Sequence, residues 1–203
     1  MANAVQVHNS APEAKAELRR RIVDALGGPG SCRVLETHSG PGVMRRLAYA
    51  GVSDWLGIDA DMESPNAIHH DNREVMRAID LSRFNLLDVD AFGSPWEQLW
   101  LFAQRRTIAK GEKIGLALTS GLQGAGASRS PTLRVAGWSQ QMADAVGADI
   151  QIKHRFFVGD KGANPLAQRL VRSWFPACTI ARWMSSRSNH GGAWYFGAVL
   201  MGS

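Results

Sequence analysis

Cysteine is nearly absent from this sequence: Cys32 and Cys178 are all that a 203-residue chain contains. Two thiols cannot build the disulfide framework of a small secreted domain, and they show no zinc-ligand spacing. Long apolar runs are missing as well. None approaches the roughly 18 residues needed to cross a bilayer. The opening Met1-Ala2-Asn3-Ala4-Val5 lacks a basic start followed by an apolar stretch, so it does not read as a secretory signal. No internal repeat is visible. These absences point to a reduced, cytoplasmic compartment and exclude a membrane-spanning helix.

What is present suits one globular domain. The chain is 45% hydrophobic and 20% charged, and its length is enough to bury a sizeable core. Net charge is +5, unevenly spread. Residues 1–104 hold 10 Lys/Arg and 14 Asp/Glu, a balance of −4; residues 105–203 hold 13 and 4, a balance of +9. A basic half of this kind suits a polyanionic partner, most simply nucleic acid. The plain alternative is a solvated basic surface. Arg19-Arg20-Arg21 invites the same pair of readings, a phosphate contact or a solvated helix face.

One stretch organises the rest. Arg33-Val34-Leu35-Glu36 reads as a strand ending in a carboxylate, Thr37-His38-Ser39-Gly40-Pro41-Gly42 as a glycine turn, and Val43 to Ala48 as a helix. Strand, turn and helix form the first unit of a doubly wound nucleotide-binding sheet, with its ligand at the strand's carboxyl end. A second strand, Asp54 to Asp59, ends in an acid about 20 residues on, placed to hold a ribose diol. The alternative is an ordinary tight turn. The third glycine of a dinucleotide fingerprint is missing, and Glu36 would repel a pyrophosphate while suiting an ammonium. A ligand with adenosine, a sulfonium and an α-amino group fits better, namely S-adenosylmethionine.

The run resembles motif I of the class I (Rossmann-like) S-adenosylmethionine-dependent methyltransferases. The resemblance implies that Glu36 lies near the methionine amine and that Asp59 binds the ribose. It also implies that His38, Ser39, Gly40 and Gly42 line the cofactor. Asp71, in the run Ala67-Ile68-His69-His70-Asp71-Asn72 that reads as a short third strand and its end, matches an acid that hydrogen-bonds the adenine amine. His69 and His70 are strand neighbours facing opposite ways, so no metal is expected.

Phe84 to Asp90 reads as the fourth strand, running into Ala91-Phe92-Gly93-Ser94-Pro95. This resembles the Asp-x-Asp-Pro-Phe/Tyr-Gly-Ser-Pro run of the tRNA guanine exocyclic-amino dimethyltransferases, with Ala91 in place of the proline and without that family's C-terminal RNA-binding domain. By that resemblance Asp90 accepts a hydrogen bond from the target amine, Phe92 stacks on the base, and Asp88 joins the cofactor contacts. The alternative for the two acids is a strand end with a turn-capping aspartate.

Helices are expected at 11–26, opened by Ser10, Pro12 and Glu13, at Arg73 to Ile79, at Trp96 to Arg106, at Thr132 to Val146 and at Asn164 to Phe175. Trp96 and Trp100 extend a stacking surface or pack in the core. The loop from Gly121 to Pro131 either closes over an acceptor, with Arg129 on a phosphate, or serves as a linker. Lys113 to Thr119 reads as a buried fifth strand. Thr179 to Met184 and Ala193 to Met201 read as an antiparallel pair that resembles the end of the methyltransferase sheet.

The sequence therefore predicts a flexible tail over 1–10 and a single domain over 11–203. Its expected fold is a Rossmann-like doubly wound seven-stranded sheet with an antiparallel last strand. The expected activity is methyl transfer from S-adenosylmethionine to a nucleobase amine, with RNA preferred over DNA as partner. Two rivals share the cofactor site: a methyltransferase for a small molecule or protein, and an idle binding protein of the same fold.

Overall fold

The computed structural model describes residues 12–61, 66–91, 93–121, 132–134, 142, 151–153, 156–158, 163–188 and 193–203. The expected tail, the Ser10 cap, Phe92 and Arg129 lie outside them. In chain order the elements are α1 (Pro12–Ala25), β1 (Arg33–Glu36), α2 (Val43–Leu47), β2 (Asp54–Asp59), β3 (Ala67–His69), α3 (Asn72–Ala78), β4 (Leu86–Val89), α4 (Trp96–Arg105) and β5 (Lys113–Gly121). Three short strands follow, β6 (Thr132–Arg134), β7 (Gln151–Lys153) and β8 (Phe156–Val158). Then come α5 (Ala163–Trp174), β9 (Cys178–Arg187) and β10 (Ala193–Gly202).

Seven strands form one sheet in the order β3-β2-β1-β4-β5-β10-β9. β3, β2, β1, β4 and β5 run parallel, while β10 lies antiparallel between β5 and β9. This is the expected doubly wound sheet with its antiparallel insertion. β4 is buried at all four positions, as a central parallel strand covered on both faces must be. On one face α3, α4 and α5 cover Leu35, Ile58, Leu87, Leu116 and Phe196, with Trp96, Phe102 and Leu170 among the fully buried side chains. Trp96 is thus a core residue, and Trp100 packs half-buried against the same cluster. On the other face α1 and α2 cover Val34, Leu86, Ala117, Tyr195 and Val199.

Two expectations change. Residues 132–134 form a strand where a helix was predicted, and they belong to a separate three-stranded antiparallel sheet, β6-β8-β7. Strands three residues long carry too little periodicity to be read from sequence. The second change concerns the arginine triplet. Arg20, half-buried, and Arg21, exposed, pair with Glu17, but Arg19 is only 1% exposed and is spent on Asp88 of β4.

That ion pair joins α1 to the sheet. Arg19 Nε and Nη2 each donate to an oxygen of Asp88 at 2.6 Å, and the Tyr49 hydroxyl donates to Asp88 at 2.7 Å. Removing one partner of a buried pair strands the other charge, a loss of about 3–5 kcal/mol. Arg19→Met is therefore expected to lower unfolding free energy by about that amount in urea denaturation. Arg19→Met/Asp88→Leu is expected to recover at least half of it. A single variant as stable as wild type would show that the pair does not hold α1.

Candidate functional site

The carboxyl ends of β1, β2 and β4 converge on the turn 37–42. Gly40 and Gly42 take positive φ of 49° and 71°, a conformation that side chains with a Cβ resist. Among the described residues, a Cβ built on Gly40 would meet nothing within 4 Å. The Gly42 N–H donates to the Ser39 carbonyl at 3.0 Å. Ser39 Oγ is buried without a partner.

Asp59, ending β2, braces this turn. One of its oxygens accepts the Gly40 N–H at 2.7 Å and the other accepts the Asp61 N–H at 2.9 Å. A carboxylate oxygen accepts more than one hydrogen bond, so each keeps capacity for a diol.

Glu36, ending β1, is 1% exposed. The Trp55 indole N–H donates to it at 2.9 Å. Trp55 reaches it by lying across Gly57, where a Cβ would sit 2.2 Å from the indole ring. The Arg45 guanidinium covers the same ring at 4.4 Å from its centroid. Burial, reinforced by Asp88, pushes the Glu36 carboxyl well above the usual carboxylate range, against the Trp55 hydrogen bond.

Asp90 lies one strand position pair beyond Asp88, on the same face. Lys15 Nζ donates to both its oxygens at 2.7 and 3.0 Å, and Arg19 Nη2 stands 4.0 Å away. Burial would raise the Asp90 carboxyl, but Arg19 and Lys15 outweigh it and hold it below its ordinary range. Three carboxylates, Glu36, Asp88 and Asp90, thus share two buried cations. Lys15 and Arg19 pair with Asp90 and Asp88, and among the described residues Glu36 alone of the three has no cation partner.

His38 belongs to a polar chain behind the turn. Gln98 Nε2 donates to Asn72 Oδ1 at 3.0 Å, which orients the Asn72 amide. Asn72 Nδ2 then donates to the Thr37 carbonyl and to His38 Nε2, both at 3.0 Å. With Nε2 accepting, the ring proton is assigned to Nδ1, 3.0 Å from Thr37 Oγ1. Burial lowers the His38 pKa, in keeping with a neutral ring.

Two of the expected cofactor residues are placed differently. Asp71 caps α3, accepting the Arg73 N–H at 2.8 Å, and also forms an ion pair with Arg73 that holds its carboxyl well below the usual range. The spacing Asp71-Asn72-Arg73-Glu74 is a capping-box signature, a signal that was there to be read. Asp88 is fully buried and both of its oxygens are taken by Arg19 and Tyr49. It anchors the site instead of facing a ligand. Lys15, Arg19, Tyr49, Trp55, Asn72 and Gln98 carry no sequence motif. The signal for two of them was spacing, since Lys15 and Arg19 share a helical stripe with Leu18 and Ile22. No group of His, Cys, Asp and Glu among the described residues is arranged to hold a metal.

The sequence matches no protein-family model and no curated protein. Solved structures do resemble it. One is the Burkholderia thailandensis 1,6-didemethyltoxoflavin-N1-methyltransferase, with a TM-score of 0.56 at 12% identity over 95% of this chain and 79% of that one. Another is the magnesium protoporphyrin IX methyltransferase of Synechocystis PCC 6803, with a TM-score of 0.51 at 14% identity over 94% of this chain and 83% of that one. The fold is that of the class I methyltransferases. It places the turn 37–42 and the ends of β2 and β4 on the ligand-binding edge of the doubly wound sheet.

A carboxyl group with a raised folded pKa stabilises the protein below its unfolded pKa, and that stability is lost as pH rises through the folded value. Glu36→Gln removes this loss. The melting temperature of Glu36→Gln relative to wild type is therefore expected to climb as pH rises past the ordinary carboxylate range, each unit of upward shift being worth about 1.4 kcal/mol. A pH-independent difference would mean that Glu36 titrates as an ordinary surface acid.

Proposed function

We propose that this chain transfers a methyl group from S-adenosylmethionine to an exocyclic amino nitrogen of a nucleobase, with RNA as the acceptor. The observation that carries this reading is Glu36, a buried carboxyl beside Asp88 and Asp90 that has no cation partner among the described residues. S-adenosylmethionine, with an ammonium, a sulfonium and a carboxylate, brings one net positive charge, beside which Glu36 can give up its proton. The two fold neighbours, both described with S-adenosylhomocysteine bound, support the same cofactor. Glu36 would face the α-ammonium, the glycine turn 37–42 would lie along the cofactor, and Asp59 would take the ribose hydroxyls. Ser39 Oγ, buried without a partner, offers one further polar contact.

The bound cofactor supplies a methyl group already activated on its sulfonium. This chain's residues then have to orient a weak nucleophile. An aryl amine has its lone pair delocalised into the ring, and an acceptor aimed at its N–H groups turns that lone pair toward the methyl group. Asp90 suits this role: it stays ionised, is about one-tenth exposed, and stands where β4 opens on the ligand edge. Phe92 would stack on the base, as the resemblance implies. The +9 balance of residues 105–203 supports a polyanionic acceptor. A free heterocyclic amine is the second reading, favoured by the burial of Asp90, whose side chain is only 11% exposed. Salt separates them, because a phosphate-bearing acceptor loses affinity steeply as salt rises.

Labelled methyl groups are expected to pass from S-adenosylmethionine into unmodified RNA and to be recovered as a methylamino base. Label found only in protein or small molecules would refute the base assignment and keep the cofactor site. Asp90→Asn is expected to slow transfer more than about tenfold, or 1.4 kcal/mol, while the cofactor still binds, at an affinity lowered by the lost charge. In calorimetry, cofactor binding is expected to release a proton from Glu36, so affinity rises up to about tenfold per pH unit below its raised pKa. Glu36→Gln is expected to bind weakly and without that slope.

A further inference from the structure

Two ion pairs are stacked between α1 and β4, and they differ in one respect. Four residues of helix advance roughly 6 Å, and two residues of strand roughly 6.6 Å. Lys15 and Arg19 on one helical face therefore meet Asp90 and Asp88 on one strand face. The inner pair is sealed, with Arg19 and Asp88 side chains 1% and 0% exposed. The outer pair is not: Lys15 and Asp90 are each 11% exposed. Two of the three N–H donors of Lys15 go to Asp90. The third has no oxygen acceptor among the described residues, and the Tyr195 ring lies 5.6 Å from the nitrogen.

We propose that Lys15 is a specificity-determining residue, and that Lys15 and Asp90 together read an amidine-type edge on the acceptor. Such an edge carries an amino group and an unprotonated ring nitrogen on the same carbon. This rests on the reading of Asp90 as the group that orients the amine. Asp90 accepts from the amino N–H, and the spare Lys15 N–H donates to the neighbouring ring nitrogen. Adenine, cytosine and guanine each offer this pair of groups; uracil does not. The ammonium fixes the in-plane angle of the ring, so the amine lone pair is directed by two contacts instead of one. Lys15 does not act as a base. The amine nitrogen takes the methyl group as its bond to the sulfonium breaks, and the proton lost from the amine passes to solvent.

The test uses the full chain and matched oligoribonucleotides that carry either the natural base or its deaza analogue: 1-deazaadenosine, 3-deazacytidine or 3-deazaguanosine. Each analogue keeps the amine and loses the adjacent ring nitrogen. For the base that accepts label, wild type is expected to show a KM about tenfold higher on the analogue. Lys15→Met is expected to raise KM about tenfold on the natural base and to add little on the analogue, the non-additivity that marks a direct contact. Lys15→Arg, which keeps the charge and its donors, is expected to recover part of the loss. Cofactor affinity of Lys15→Met, measured separately, is expected to be kept or raised, because the cluster becomes more negative. Equal losses on both acceptors in Lys15→Met would overturn the proposal and leave Lys15 as a structural support for Asp90. Equal KM values for base and analogue in wild type would overturn it as well. Label passing to none of the three bases would instead refute the nucleobase reading itself, and the pairing with it.

Discussion

A carboxylate at the centre of a doubly covered sheet has to be neutralised within hydrogen-bond reach, and Asp88 meets that demand through Arg19. The desolvation cost of such a pair is several kcal/mol per ion, so the geometry leaves little freedom. Both oxygens are taken, by a guanidinium whose fork matches them. The choice fixes the height and rotation of α1 over β4. Once those are set, Lys15 has to lie over Asp90, and the apolar residues Leu18, Ile22 and Val23 fall onto the sheet. The placement of α1 follows from one buried charge.

The same constraint shapes the ligand edge. With Arg19 and Lys15 committed to Asp88 and Asp90, Glu36 is left with a single neutral donor, the Trp55 indole. Burial then favours its protonated form unless a cation arrives. The neighbouring polar chain from Gln98 through Asn72 to His38 has a different character, since its members are neutral and their bonds hold the turn after β1 in place. Fixed dipoles hold the turn, and Glu36 beside it is the carboxyl without a cation partner among the described residues.

Much of this was legible in the sequence. The apolar runs Val34-Leu35 and Leu86-Leu87, each ending near an acid, are central parallel strands because burial on both faces demands them. The antiparallel pair was read at Thr179 to Met184 and Ala193 to Met201, and in the structure β9 runs on to Arg187. Asp59 stands at its expected place beside the glycine turn. What was not legible depended on pairings far apart in the chain. Arg19 and Asp88 are 69 positions apart, and nothing local distinguishes Arg19 from Arg20 and Arg21. Asp71 was read through its strand when its helix had the stronger claim. The small sheet of β6, β7 and β8 is held by pairing between three-residue pieces that have no periodicity of their own.

The position of β10 also imposes an order of events during synthesis. It lies between β5 and β9 and pairs with both along nearly its whole length. Residues 193–202 are nevertheless made after every strand they join. Until they emerge from the ribosome, the growing chain carries β5 with one edge unpaired, and open strand edges are templates for association with other chains. The parallel part of the sheet, β3 to β5, is already made by then, yet the face that α1 must cover still lacks Tyr195 and Val199. Closure of the α1 face is thus a late step of folding, although α1 is the first described helix to be made.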